Sequence, residues 1–525
     1  MSGSPDPAAT ATRPGGEEPS PAPTDRPKPR RLGARELLET VLDAGTWSSW
    51  DAPPDQPAEP GSTYAAELAA ATERSGCDEA IITGEGRLRG RRVAVIAGEF
   101  SFLAGSIGAV AAERIVLAFE RARREELPVF AAPSSGGTRM QEGTPAFVGM
   151  VKISAACAQL KAAGLPYIVY LRHPTTGGVF ASWGSLGQVT VAEPGATIGF
   201  LGARVYEALY GRAFPDGVQT AENLFEHGLI DAVLPVEALA ETADRALNVL
   251  MAPREDLPDV PELLKEPLAD LPAWDSIGRS RREDRPGVRA LLRLGATDVL
   301  PLHGTGQGEY DPGLLMALAR FGGAPCVVLG QDRRGQTLDA PLSPKGLRVA
   351  RRGMALAREL GLPLVSIVDT AGAALSQEAE EGGLAGEIAR CLAELVTLEA
   401  PTLCVLLGQG TGGGALAVMP ADRVICAQHS WLSPLPPEGA SAILHRDTDH
   451  APELATAQRV RSLDLLADGI VDRIVAEHPD AADEPEDFCR RMSQTIQHEL
   501  AVLAREQPEE RLAARLDRYR RLGRR

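Results

Sequence analysis

Along the chain, short unbroken apolar runs alternate with longer stretches in which apolar positions recur every three or four residues among Arg, Glu and Ala. Residues 92–97, 129–132, 167–170, 324–329 and 364–368 are runs of the first kind, rich in Val and Ile. A run of four to eight apolar residues without polar alternation fits a strand buried on both faces, as in parallel sheets covered by helices. Residues 114–125 and 347–360 carry the helical spacing. The alternation therefore predicts an α/β fold.

The pattern also repeats once. Pro128 opens a strand that ends in Ser134-Ser135-Gly136-Gly137, and 235 residues later Pro363 opens one that ends in Asp369-Thr370-Ala371-Gly372. Pro166 and Pro401 open a second pair at the same offset. The loops that follow, Thr176-Gly177-Gly178-Val179 and Gly412-Gly413-Gly414-Ala415, match at 236, as though one residue had been inserted before them. Each glycine loop is expected to leave a strand and enter a helix, with its amides turned into a crevice. Two readings follow for Gly177-Gly178 and Gly413-Gly414. Their amides stabilise a developing oxyanion, an effect worth roughly 3 kcal/mol per donor, or the glycines only allow tight helix–strand packing.

A chain of 525 residues, 44% of them hydrophobic, has room for two domains. The expected division is a disordered tail over 1–31, a first domain over 32–250, a proline-punctuated linker over 251–286 (Pro253, Pro258, Pro261, Pro267, Pro272), a second domain over 287–508 and a charged, solvated or subunit-bridging helix over 509–525. The net charge of −17 argues against a nucleic-acid partner, although a local Arg cluster can still hold a phosphate. No stretch reads as membrane-spanning or as a signal sequence, so the cytoplasm is the expected compartment. Seven scattered cysteines without a CxxC pair read as buried thiols.

Other chemistry finds little support. Gly408-Gln409-Gly410-Thr411-Gly412-Gly413 satisfies GxGxxG, but no suitably placed acidic residue follows it. There is no P-loop, no HExxH, no GxSxG elbow and no clustered histidine, and His173, His227 and His303 read as ordinary histidines. No metal is predicted. Oxyanion donors without an evident protein base imply a substrate that brings its own base.

These motifs resemble the carboxyltransferase component of biotin-dependent acetyl-CoA carboxylase. The segment Ser134-Ser135-Gly136-Gly137-Thr138-Arg139-Met140-Gln141-Glu142-Gly143, with Thr176-Gly177-Gly178-Val179, is similar to the bacterial beta subunit. Asp369-Thr370-Ala371-Gly372, Gly412-Gly413-Gly414-Ala415-Leu416-Ala417 and Pro437-Glu438-Gly439-Ala440 are similar to the alpha subunit, so the chain looks like a beta–alpha fusion. The resemblance implies two tandem crotonase-like domains of ββα superhelical units. It implies an acyl-CoA site on the first half, with Gly177 and Gly178 as oxyanion donors and Gly136, Gly137, Arg139 and Val179 around the thioester. It places a biotin site on the second half, with Gly414 and Ala415 as donors and Gly372, Gly413, Leu416 and Ala417 beside them. Arg139 either contacts a CoA phosphate or braces its loop.

The implied reaction carries CO2 from carboxybiotin, held on a separate biotin carboxyl carrier protein and charged by a biotin carboxylase, to acetyl-CoA, giving malonyl-CoA. Propionyl-CoA or another acyl-CoA is the alternative substrate, and a catalytically degenerate scaffold the alternative role. A homo-oligomer, dimer or hexamer, is implied as well. The chain departs from the family pattern in three places: it lacks the four-cysteine ribbon of beta subunits, has Ala371-Gly372-Ala373-Ala374-Leu375 where Pro-Gly-Ala-Tyr-Pro is usual, and has Gly408-Gln409-Gly410 for Gly-Glu-Gly.

Overall fold

The computed structural model describes residues 32–54, 58–252, 260–263, 266–337 and 340–523. The expected tail over 1–31, together with Pro253 and Pro258, lies outside them. The first half is built on a seven-stranded sheet in the order Ser48–Ser49, Ile81–Leu88, Arg91–Gly98, Val129–Ala132, Tyr167–Leu171, Val189–Ala192, Ala232–Val233. Its first two pairings are antiparallel and the others parallel. The second half repeats this plan with Thr297–Leu302, Leu314–Phe321, Ala324–Gln331, Leu364–Thr370, Thr402–Thr411, Arg423–Ala427 and Arg473–Val475, again antiparallel twice and then parallel. The apolar runs occupy the central strands because only there is a strand covered on both faces.

The repeat holds in three dimensions. Ile107 bridges Thr138 and Leu342 bridges Ala373, each pair 235 residues from the other. Thr176 pairs with Gly199, and Thr411 with Ser433. Gly177 and Gly412 then both adopt left-handed backbone, at φ 63° and 65°, which a side chain would strain. The offset of 235 thus persists through these glycines, and the one-residue slip expected before them falls after them.

The halves share a core. Helix Leu239–Leu250 closes the first half, and its Leu247 and Leu250 belong to one buried cluster with Leu300, Leu302 and Met316 of the second sheet. Asp231 and Arg352 staple the same junction: their ion pair is 2.9 Å long, Arg352 donates to the carbonyls of His303 and Gly304, and Asp231 accepts the amides of Thr190 and His303.

Two segments depart from expectation. Residues Ala273–Ser280, inside the stretch read as linker, form a helix with Ile277 and Ser280 fully buried. Pro272 stands at its N-cap, where a missing N–H costs no helical bond, so the proline starts the helix instead of breaking one. The terminal helix Pro508–Arg521 is packed, not merely solvated: the Arg515 side chain is fully buried and donates twice to Asp422, at 2.7 Å each. All seven cysteines are buried free thiols.

Candidate active site

In each half the two glycine loops meet. The first leaves Val129–Ala132 and turns at Ser135, whose hydroxyl accepts the Gly137 amide at 3.0 Å. Thr370 does the same for Gly372 at 3.1 Å. Gly137 and Gly372 have φ of 112° and 135°. A β-carbon on Gly137 would stand 3.6 Å from the Gly177 Cα and 3.7 Å from the Gly178 nitrogen, and one on Gly414 would stand 3.2 Å from the Ala373 nitrogen. At Gly137 and Gly372 the positive φ calls for glycine, and at Gly414 a β-carbon would press on the facing Ala373 backbone.

The second loops differ. Gly412–Leu416 begins a regular helical turn, whereas Gly177–Gly178 enters irregular turns and a short 3-10 segment, Trp183–Ser185. Gly177 also spends its amide on the Gly199 carbonyl at 3.1 Å, because the strand pairing of Thr176 with Gly199 continues one residue further. Gly177, expected as a donor, is therefore a shaping residue whose amide is already engaged. The side chains of Val179 and Ala417 are fully buried in the two cores, so neither lines the crevice, contrary to expectation. Leu416 remains exposed, at 47%, as does Leu375, at 94%.

Arg139 braces the first loop. Its side chain is fully buried, donating to both carboxylate oxygens of Glu79, to Glu142 at 3.3 Å and to the Ser106 carbonyl at 2.8 Å. Burial works against its charge, but the Glu79 carboxylate outweighs burial and holds the guanidinium above its ordinary value. Glu142 in turn accepts the Tyr64 hydroxyl at 2.5 Å. Burial, then this acceptor, pushes Tyr64 up to about 12. With this placement Arg139 offers no exposed face to a CoA phosphate.

Three residues near the second loop are not among the site residues expected from the sequence. Asp369 is buried; its Oδ1 accepts the Gln409 amide at 3.1 Å and its Oδ2 has no hydrogen-bond partner among the described residues. Burial pushes this carboxyl up, with Arg333 at 3.7 Å pulling the other way. A β-carbon on Gly408 would lie 2.3 Å from Asp369 Oδ1, which accounts for that glycine. The Thr411 hydroxyl, at the N-cap of the helical turn, is likewise buried and unpartnered among the described residues. Arg281, from the stretch read as linker, joins Gln409 to Glu438 of helix Pro437–Leu444. Among the described residues no group of three His, Cys, Asp or Glu is placed to hold a metal ion, and no helix is long and apolar enough to cross a membrane.

The chain matches the carboxyl transferase domain family over residues 53–512. It is 61% identical over 493 residues to a probable biotin-dependent acyl-coenzyme A carboxylase beta3 subunit of Mycobacterium tuberculosis, covering 94% of this chain and 99% of that one. It is 36% identical over 530 residues to the acetyl-coenzyme A carboxylase carboxyl transferase subunits beta/alpha of Parafrankia sp., covering 94% and 86%. The relatives thus carry both an acyl-CoA and an acetyl-CoA name. Among solved structures, transcarboxylase 12S with methylmalonyl-coenzyme A bound superposes with a TM-score of 0.72 at 20% identity, over 91% of each chain, and shares the fold of two tandem crotonase-like domains. With its fold, its paired glycine loops and these matches, the chain belongs to the carboxyl transferase family.

Proposed function

We propose that this chain transfers a carboxyl group from carboxybiotin to a small acyl-CoA, with acetyl-CoA to malonyl-CoA as the preferred reaction. The observation that carries the reading is the duplicated pair of touching glycine loops in a chain 61% identical to an acyl-CoA carboxylase beta subunit. The donor set suits two carbonyl-type oxygens: the Gly178 and Val179 peptides for the thioester, and the Gly414 and Ala415 peptides, with the buried Thr411 hydroxyl beside them, for the ureido oxygen of biotin. Carboxybiotin, when bound, supplies the CO2 and a ureido nitrogen able to take the α-proton of the thioester, which fits a site with no evident side-chain base. The residues of this chain hold the two oxygens and keep the reacting groups in register.

Large apolar side chains are left exposed after the first loop, at Met140, Phe147 and Val151, and in the second half at Leu375, Leu416 and Ile443. This supports a homo-oligomer in which the first half of one subunit faces the second half of another, served in the cytoplasm by a biotin carboxyl carrier protein and a biotin carboxylase. The test is kcat/KM for acetyl-, propionyl- and butyryl-CoA with one carboxylated carrier. A hydrophobic pocket separates neighbours in this series by about 10- to 200-fold. Preference for acetyl-CoA supports the reading, preference for butyryl-CoA overturns the malonyl-CoA assignment, and equal use of acetyl and propionyl substrates makes this a broad acyl-CoA carboxyltransferase. No turnover at all identifies a scaffold.

A further inference from the structure

In both halves one side chain captures the carbonyl of the second-loop glycine, and the two halves do it differently. The Ser182 hydroxyl donates to the Gly178 carbonyl at 2.6 Å. In the second half the Gln331 amide donates to the Gly414 carbonyl at 2.7 Å, from a strand end 83 residues away. Gln331 is fully buried, and its oxygen accepts the Asp369 amide at 3.2 Å, so it ties the helical turn to the end of the neighbouring strand. Neither device has a counterpart in the other half. By sheet register Gln331 corresponds to Gly98, since Gly330 pairs with Ile367 as Ala97 pairs with Ala132. A β-carbon on Gly98 would lie 2.7 Å from the Ser134 nitrogen, so no side chain fits there. The residues that correspond to Ser182, Ala417 and Val418, are buried and apolar.

Local backbone geometry explains why a tie is needed. In the second half the Ala417 amide goes to Gly413 and the Val418 amide to Ala415, so the ladder passes over the Gly414 carbonyl. In the first half the Ser182 amide goes to Val179 and passes over Gly178 in the same way. A peptide unit is planar, with its C=O and N–H pointing in opposite directions. Fixing the Gly178 carbonyl therefore aims the Val179 N–H, and fixing the Gly414 carbonyl aims the Ala415 N–H. We propose that Ser182 and Gln331 are positioning residues, each orienting the oxyanion-binding peptide of its own half. The inference rests on the carboxyltransferase reading and adds the residues that preorganise its two donor peptides. Preorganised donors act mainly in the transition state, so their loss lowers kcat more than it raises KM.

Two assays on the full-length chain separate the halves. Decarboxylation of malonyl-CoA without biotin needs only the thioester site, and decarboxylation driven by free biotin needs both. Ser182→Ala is expected to slow both by about 10-fold or more, and Gln331→Met only the second, with KM for malonyl-CoA and for biotin within about two-fold of wild type. Ser182→Thr, which keeps the hydroxyl, should retain most of the activity. Hydrogen exchange in a peptide covering 409–418 should quicken in Gln331→Met while the rest of the chain is unchanged, a readout that survives poor activity. Folded variants with wild-type rates, or Gln331→Met slowing both reactions equally, overturn the positioning roles. A wild-type chain with no biotin-driven turnover overturns the carboxyltransferase reading beneath them.

Discussion

Replacing Arg139 by Met removes every donor that its guanidinium supplies while roughly keeping the volume. The side chain is fully buried and that of Glu79 is 3% exposed, so the change strands a carboxylate away from water. Among the described residues Glu79 then keeps only the Ala80 amide as donor, at 2.6 Å. Glu142 fares better, because the Tyr64 hydroxyl and the Ala109 amide still reach it. Breaking a buried pair from one side costs about 3–5 kcal/mol, a large part of a domain's net stability. Glu79→Gln with Arg139→Met removes the stranded charge as well, so the double variant should lose less than Arg139→Met alone. The measurement is a double-mutant cycle by denaturant unfolding of wild type, both single variants and the double variant, followed by tryptophan fluorescence. A loss below about 1 kcal/mol for Arg139→Met, or strictly additive losses, would refute the claim that this buried pair braces the loop.

Three further outcomes are expected. Gly414→Val presses a side chain on Ala373 and Leu342 and should lower biotin-driven turnover by about 100-fold or more, with the affinity for acyl-CoA, measured by calorimetry, unchanged; near-wild-type turnover makes this glycine a packing device. Arg515→Met leaves Asp422 buried without its main partner, so thermal unfolding should begin earlier and the terminal helix should become sensitive to limited proteolysis; an unchanged melting curve contradicts the packing described for it. His450 is held above its ordinary value by Asp447, 2.8 Å away, whose own carboxyl is drawn down to about 2 by the same bond. The pairing is complete below the ordinary histidine value and fades as pH rises through the raised one. An NMR titration should place the His450 midpoint above 6.5 and Asp447→Asn should lower it, whereas a wild-type midpoint at or below 6.5 excludes the pairing.

The fold was legible where the sequence carried period and punctuation. Central strands such as Val129–Ala132 and Leu364–Thr370 are short apolar runs between turn residues, and the spacing of their prolines exposes the duplication. The glycine loops were legible for the same reason, since a left-handed residue beside a close backbone has almost no alternative to glycine. Long-range consequences were hidden. That Gly199 takes the Gly177 amide follows from a pairing 22 residues away, and nothing local announces it. Val179 follows Gly178 directly and Ala417 comes three positions after Gly414, yet the chain turns both side chains into the core. Pro272 reads as a breaker unless its place at a helix start is known, which concealed both that helix and Arg281. Arg515 lies in a strongly charged helix and is buried only because Asp422 waits in the core.

The cluster that runs unbroken from helix Leu239–Leu250 into the second sheet has a mechanical consequence. A hinge needs a seam that opens at little cost, and between these halves the described residues offer apolar contact sealed by a buried carboxylate and its arginine. Parting them would wet both surfaces at once. Within one chain the two glycine-loop turns are thus held in a fixed relation, like fittings on a single rigid frame. In an assembly where the first half of one subunit faces the second half of another, displacing either half of a chain would then displace both of its turns together.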